Sequence, residues 1–208
     1  MLLLVIVLGI LPSVVWLFFF LQEDIHPEPK RLILKTFLVG GLMALPVVAL
    51  QFLTQDVLSF FNLKNIIISI IVLALIEEVF KFIAAYWVTY KNPEFNEPID
   101  AMIYMITAAL GFAMVENLFI MGNSFGFSTI ALRFIGATLL HSLASGLLGY
   151  YWAKANLSFG LFLAVLVHSL FNYLILKFQS TYFLYPSLFL ILTAIFVFID
   201  FEKLRKMV

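Results

Sequence analysis

Cysteine is absent from this 208-residue chain, and charged residues are scarce. Without cysteine the chain can form no disulfide, no thiolate nucleophile and no cysteine-based zinc site. Only 12% of its residues are charged, whereas an ordinary soluble domain has about a quarter. Twelve Lys and Arg balance twelve Asp and Glu, and this zero net charge predicts no nucleic-acid partner.

Apolar residues dominate instead. The chain is 64% hydrophobic, with a mean hydropathy of +1.11. A soluble fold of this size could not bury so many Phe, Leu and Ile side chains, so we expect a multi-pass cell-membrane protein surrounded by lipid bilayer. The first segment, "MLLLVIVLGILPSVVWLFFFL", has no basic region before it and no small-residue cleavage site. It is expected to be a retained first span rather than a signal peptide.

Seven segments reach the roughly 20 apolar residues that a membrane-crossing helix needs. They cover residues 2–21, 33–53, 65–89, 100–120, 130–152, 158–177 and 182–199. Long apolar runs, rather than short alternating ones, favour helices over a barrel. No linker or internal repeat is visible. The sequence therefore predicts an all-α, polytopic transmembrane helical bundle of about seven spans, forming a single domain over residues 1–208.

Basic residues are unevenly divided between the two sets of loops, and this predicts the orientation. One set, with the C-terminal tail, carries Lys30, Arg31, Lys35, Lys91, Lys154, Lys203, Arg205 and Lys206. The opposite set has Lys64 and Lys177, with Arg133 just inside span five. Because cytoplasmic loops are enriched in Lys and Arg, the N-terminus is expected outside and the C-terminus in the cytoplasm.

Several polar side chains fall inside the predicted spans. They are Glu77, Glu78, Lys81, Glu116, Asn117, His141, His168 and Asn172. At a helical rise of about 1.5 Å per residue, Glu78, His141 and His168 lie at similar depths, about 15–20 Å into their spans. Charged groups at that depth are costly and indicate a functional site by default.

The spacing in span three leaves two interpretations of its ion pair open. Glu77 and Glu78 lie four and three residues before Lys81, so either carboxylate can reach the ammonium. In one interpretation the ion pair serves only structure; in the other, one glutamate pairs with Lys81 and the second glutamate is left for another task. Taken singly, each histidine or asparagine could simply hydrogen-bond a neighbouring helix, and Ser142, Ser145, Gly146 and Gly149 indicate close helix packing.

The coincidence of Glu, His and His at one depth favours chemistry. A carboxylate removed from water is a stronger base, and with a histidine it can deprotonate a water molecule. In "HSLFN", His168 and Asn172 share one helix face, where two donors could stabilise an oxyanion. These parts suit hydrolysis of an amide. Proton relays use the same residue types, so a proton-coupled transporter or channel is the alternative.

The chain resembles the PrsW intramembrane proteases, which are related to the CAAX prenyl endopeptidase and bacteriocin-processing superfamily. The resemblance rests on ordered motifs: "PEPKRLILKTFLVG", "IEEVFK", "EPIDAMIY", "GFAMVEN", "RFIGATLLHSLASGLLGYYWAKA" and "HSLFNY". Two positions depart from the usual pattern, Asn172 where many members have Asp and Ala101 where Gly is common.

The resemblance implies a membrane-embedded peptide hydrolase of the glutamic type. Glu77 or Glu78 would be the catalytic carboxylate, with Glu77 the usual choice in the wider superfamily, and His141 would orient or share the proton of the attacking water. His168 with Asn172 would form the oxyanion site, and Lys81, Glu116, Asn117 and Asp100 would support the cavity. The implied substrate is a membrane protein such as a single-span anti-sigma factor, cut to start a stress response.

Metal dependence is the remaining alternative. A glutamate and two histidines can hold one zinc ion, but the spacing His-Glu-x-x-His is missing from this sequence. We therefore expect no cofactor, with a zinc ion held by Glu and His as the less favoured option.

Overall fold

The computed structural model describes residues 2–60, 65–123, 132–178 and 184–207. Within them the chain forms seven α-helices and no strand. In chain order these are α1 (Leu2–Leu21), α2 (Lys30–Phe60), α3 (Ile66–Thr89), α4 (Pro98–Asn123), α5 (Thr138–Ala153), α6 (Leu157–Phe178) and α7 (Leu184–Arg205). A π-helical turn, Leu132–Ala137, runs directly into α5. The predicted all-α bundle is confirmed.

Five of the seven helices are long and apolar enough to cross a membrane, which supports a multi-pass membrane protein. They are α1, α2, α4, α6 and α7. Helix α3 carries Glu77, Glu78 and Lys81 close together, and the α-helical part of α5 has only 16 residues. The predicted starts of spans five and seven, residues 130–131 and 182–183, lie outside the described residues.

Helix α4 is the centre of the bundle. It packs against α1, α2, α3, α5 and α7. Every residue from 99 to 113 is buried, because this stretch is apolar on almost its whole circumference and has helices on all sides. The polar residues Glu116 and Asn117 come three and four residues after this stretch, so α4 places them just beyond its packed part.

Glycine allows α2 and α4 to approach closely. A Cβ atom added to Gly111 of α4 would lie 1.8 Å from the carbonyl oxygen of Phe37 of α2. One added to Gly40 would lie 2.1 Å from the carbonyl oxygen of Ala108. Small residues at such crossings are the usual way for membrane helices to pack without a large side chain between them.

The loops α1–α2 and α3–α4 meet at one end of the bundle. Glu28, in the first loop, accepts a hydrogen bond from the Tyr104 hydroxyl of α4, and His26 pairs with Glu97 at 2.9 Å. Burial, together with the nearby Asp100 carboxylate, raises the pKa of Glu28 to about 8.

The end of α7 joins the same group of loops. Arg205 bonds the Glu23 carboxylate at 2.6 Å. The orientation of this end relative to the membrane stays a prediction, and Lys64, which entered that prediction, lies outside the described residues.

Candidate active site

Helix α3 places Glu78 at the centre of a buried polar cluster. Its Oε1 lies 2.7 Å from Lys81 Nζ and 2.8 Å from Nδ1 of His168 on α6, and its Oε2 accepts from Ser145 Oγ of α5 at 2.9 Å. Glu78 and Lys81 are completely buried. Because a buried charge is tolerated only when it is paired and hydrogen-bonded, these three partners account for an ionised Glu78 in the bundle.

Glu77 differs from its neighbour. Its Oε1 accepts a hydrogen bond from Gln51 Nε2 of α2 at 2.9 Å, but its Oε2 is buried and has no hydrogen-bond partner among the described residues. Three nitrogens stand just beyond hydrogen-bond distance of that Oε2: Lys81 Nζ at 3.6 Å, His168 Nε2 at 3.7 Å and His141 Nδ1 at 3.9 Å. The unpaired oxygen therefore faces a small gap ringed by polar atoms.

The tautomers of both histidines follow from their partners. Lys81 Nζ lies 2.7 Å from His141 Nδ1, and because an ammonium only donates, this nitrogen accepts. A neutral His141 then carries its proton on Nε2, which lies 2.9 Å from Glu116 Oε2. At His168, Nδ1 donates to the Glu78 carboxylate, so in the neutral ring Nε2 is an acceptor, and it lies 3.7 Å from Glu77 Oε2.

Arg133, in the π-helical turn before α5, holds the far side of the cluster. Its Nη2 lies 2.5 Å from Glu116 Oε2, and its Nε donates to Asn117 Oδ1 at 2.6 Å. Asn117 in turn donates to Thr138 Oγ1 at 3.0 Å. A chain of charge-assisted contacts thus runs from Arg133 through Glu116 to His141 and Lys81.

A cavity of about 50 Å³ lies beside this cluster, between α2, α3 and α4. Its lining includes Gln51, Glu77, Phe112 and Glu116. Since one water needs about 10–15 Å³ of such space, the cavity has room for a few waters next to the Glu77 carboxylate. The Glu116 side chain is 31% exposed, so this cavity lies near the surface of the bundle.

The structure brings most of the predicted site residues together. Seven of them form one connected group: Glu77, Glu78, Lys81, Glu116, Asn117, His141 and His168. Asn172, one turn after His168, is partly exposed and has no hydrogen-bond partner among the described residues.

Asp100, which is expected to support the cavity, lies outside the connected group. Along α4 it is 16 residues from Glu116, about 24 Å at the helical rise. Its Oδ2 instead accepts from the backbone amides of Asn96 and Glu97, which fixes the first turn of α4.

Three site residues were not predicted. Ser145 was interpreted as a packing residue only, yet it donates to Glu78. Gln51, which bonds Glu77, is not among the predicted site residues. Arg133, which bonds Glu116, is used in the sequence analysis only to predict orientation and as the start of a family motif. A polar side chain within an apolar span was the available signal for Gln51 and Ser145.

The profile described as "PrsW family intramembrane metalloprotease" matches residues 28–199, most of the chain and all of the connected group. The chain belongs to the PrsW family. The sequence-based resemblance is thereby confirmed. Membership of this family supports a membrane protease and does not favour the alternative of a transporter or channel.

Curated PrsW proteins resemble the chain over most of its length. It is 32% identical to "Protease PrsW" of Oceanobacillus iheyensis over 183 residues, which cover 83% of each chain. It is 30% identical to "Protease PrsW" of Halalkalibacterium halodurans over 201 residues, covering 91% of this chain and 90% of the relative. No solved structure matches the chain significantly.

Proposed function

We propose that the chain is an intramembrane endopeptidase in which Glu77 activates water for attack on a peptide bond of a membrane-protein substrate. The observation that carries this proposal is the unpaired, buried Oε2 of Glu77, which lies 3.7 Å from the acceptor nitrogen of His168. Two acceptors that face each other across a gap need a donor between them, and a water molecule donates to both.

Glu77, rather than Glu78, is the proposed base because only Glu77 has a free oxygen. Both oxygens of Glu78 are engaged by Lys81, His168 and Ser145. Glu77 takes one proton from the water, while His168 Nε2 accepts a hydrogen bond from the other O–H group and so orients the water. The hydroxide oxygen bonds to the carbonyl carbon, and the C–N bond of the tetrahedral intermediate breaks as its nitrogen is protonated. Glu77 returns this proton to the leaving amine.

The oxyanion of that intermediate needs hydrogen-bond donors. Asn172 has an unpaired side chain one turn beyond His168, on the same face of α6. We propose that its amide donates to the oxyanion. His168 can assist only when its Nε2 carries a proton, because Nδ1 is committed to Glu78.

His141 is proposed to hold Lys81 in place rather than to touch the water. Its Nδ1 accepts from the Lys81 ammonium at 2.7 Å, and its Nε2 is fixed by Glu116. The ammonium is 3.6 Å from Glu77 Oε2 and supplies a positive charge beside the carboxylate throughout the reaction.

The donor set also fits a divalent metal ion. Glu77, His141 and His168 each offer one ligand atom, and these atoms lie within 4.8 Å of one another. They match the Glu and two His of known catalytic zinc sites, and the unpaired Glu77 oxygen suits a cation. A zinc ion held there would act as a Lewis acid on the water. His141 Nδ1 is engaged by Lys81, so the ammonium would have to release it.

The proposed substrate is a single-span protein such as an anti-sigma factor, and cleavage of such a reporter by purified protein tests the function. Glu77→Gln keeps the shape of the side chain but removes the base, and cleavage is expected to fall at least a hundredfold. Glu202→Gln, a change at an exposed glutamate near the end of α7, is the matched control and should cleave normally. Wild-type cleavage by Glu77→Gln would overturn the assignment of the base.

A further inference from the structure

An apolar groove of about 330 Å³ lies between α3 and α6, formed by residues 67–71 and 162–173. Its volume is within the range of about 300–1,000 Å³ typical of specific ligand sites. Ile71 of α3 and Leu166 of α6 line it and are 45% and 48% exposed. Because exposed apolar side chains line this groove and α6 is long and apolar enough to cross a membrane, we expect the groove to open toward lipid.

Ser169 is the unusual member of this lining. The residue is only 7% exposed, and its Oγ is buried without a hydrogen-bond partner among the described residues. A serine inside a helix commonly bonds the carbonyl four residues earlier, as Thr193 does on α7. A buried unpaired hydroxyl is destabilising, so a partner is expected from outside the described residues.

Ser169 directly follows His168, whose Nε2 faces the unpaired oxygen of Glu77. The groove therefore begins beside the proposed reaction centre and runs along α3 toward its N-terminus, past Ile70 and Ile67. The small cavity that adjoins Glu77 lies between α2, α3 and α4 instead. Glu77 thus lines the small cavity, and the groove reaches the residue that follows its neighbour His168.

We propose that the groove binds the substrate's apolar segment next to the cleaved bond, and that the Ser169 hydroxyl, which is buried in the wall of the groove in this structure, turns toward the segment and hydrogen-bonds its backbone. This inference rests on the proposed protease function. A membrane helix shields its peptide bonds, so the segment must unwind where it is cut, which frees backbone N–H and C=O groups. Unpaired backbone groups are strongly destabilising in lipid, and a hydroxyl at the edge of the groove satisfies one of them. A lipid acyl chain in the groove would leave the hydroxyl unpaired.

Kinetics of the single-span reporter test the role of Ser169. Ser169→Ala is expected to raise KM about fivefold, the effect of losing one net hydrogen bond, with a smaller change in kcat. Ser169→Thr keeps the hydroxyl and is expected to restore KM. The matched control is Ser13→Ala in α1, because Ser13 is also buried without a partner but lies outside the groove. An unchanged KM in Ser169→Ala, or an equal rise in Ser13→Ala, would overturn the proposal.

Cross-linking tests occupancy without turnover. The chain has no cysteine, so Leu166→Cys gives a unique thiol in the groove and Leu192→Cys gives one on the exposed face of α7. Each is combined with Glu77→Gln and with the reporter carrying one cysteine beside the expected cut. A disulfide with Leu166→Cys but not with Leu192→Cys is expected. Equal cross-linking of the two variants, or none with Leu166→Cys, would contradict the groove proposal. Failure of the Glu77 assignment would appear in the cleavage assay and not in the cross-linking.

Discussion

Glu77 and Glu78 are adjacent in sequence, yet their carboxylates are in opposite situations. Glu78 has both oxygens engaged by Lys81, His168 and Ser145, whereas one buried oxygen of Glu77 has no hydrogen-bond partner within the described part of the chain. The two side chains point about 100° apart around α3, so different helices face them. This difference supports the proposed division between Glu78 as a structural carboxylate and Glu77 as the base, although both are nearly or wholly buried.

Substitution of the two glutamates should therefore give two different losses. Glu78→Gln leaves the buried Lys81 without its closest counter-charge and is expected to lower the free energy of unfolding by about 3–5 kcal/mol. Glu77→Gln removes cleavage but should leave stability nearly unchanged, because Gln51 can still bond the amide oxygen. Thermal unfolding in micelles measures both variants. Equal destabilisation by the two substitutions would contradict the division of roles.

Arg133 is expected to affect the rate through Glu116 and His141. Arg133→Gln removes a charged contact to Glu116, and contacts of this kind contribute about 1.5–3 kcal/mol. If that energy holds His141 in position, kcat falls about tenfold to a hundredfold. Arg133→Lys keeps the charge and should recover part of the rate. A normal kcat in Arg133→Gln, measured with the same reporter, would exclude this role.

The α1–α2 loop should make stability depend on pH through Glu28. Burial raises the pKa of Glu28 to about 8 in the folded protein, from an ordinary value of 4.5. Between these values the folded state binds the extra proton, so stability contributed by Glu28 is complete below pH 4.5 and is lost as pH rises to about 8. Glu28→Gln should flatten the fall in melting temperature over this interval. If melting temperature falls as steeply with pH in Glu28→Gln as in the wild type, the pH dependence arises from other groups.

Helix packing predicts unequal effects of two alanine substitutions. A Cβ at Gly111 would lie 1.8 Å from the Phe37 carbonyl oxygen, so Gly111→Ala must push α2 and α4 apart. We expect destabilisation of about 1–3 kcal/mol or more. A Cβ at Gly41 would lie 3.2 Å from its nearest neighbours, and Gly41→Ala should be far milder. Similar melting temperatures for the two variants would contradict the close helix contact.

Metal removal addresses the cofactor. The Lys81 ammonium already occupies His141 Nδ1 by a hydrogen bond and supplies the positive charge there. The chelator-treated wild-type protein is therefore expected to keep cleaving the reporter. Elemental analysis of the treated sample provides the control that no metal remains. Loss of cleavage that zinc restores would show instead that Glu77, His141 and His168 hold a metal ion during the reaction.

The sequence alone determined the helical bundle, the membrane setting and most of the site. Apolar runs of about 20 residues specify spans because the backbone has no alternative to helix in lipid. The spacing of Glu77, Glu78 and Lys81 fixes their proximity because it depends on one helix only. The family motifs indicated a protease, and the family profile confirmed this interpretation.

Only the tertiary structure decided which carboxylate is unpaired. That depends on the rotation and separation of α2, α5 and α6, which bring Gln51 to Glu77 and bring Ser145 and His168 to Glu78. Asp100 is far from the site because it lies at the opposite end of a continuous α4 from Glu116. Helix rotation and spacing arise from packing among many side chains, for example at Gly40 and Gly111, and no local pattern in the sequence encodes them.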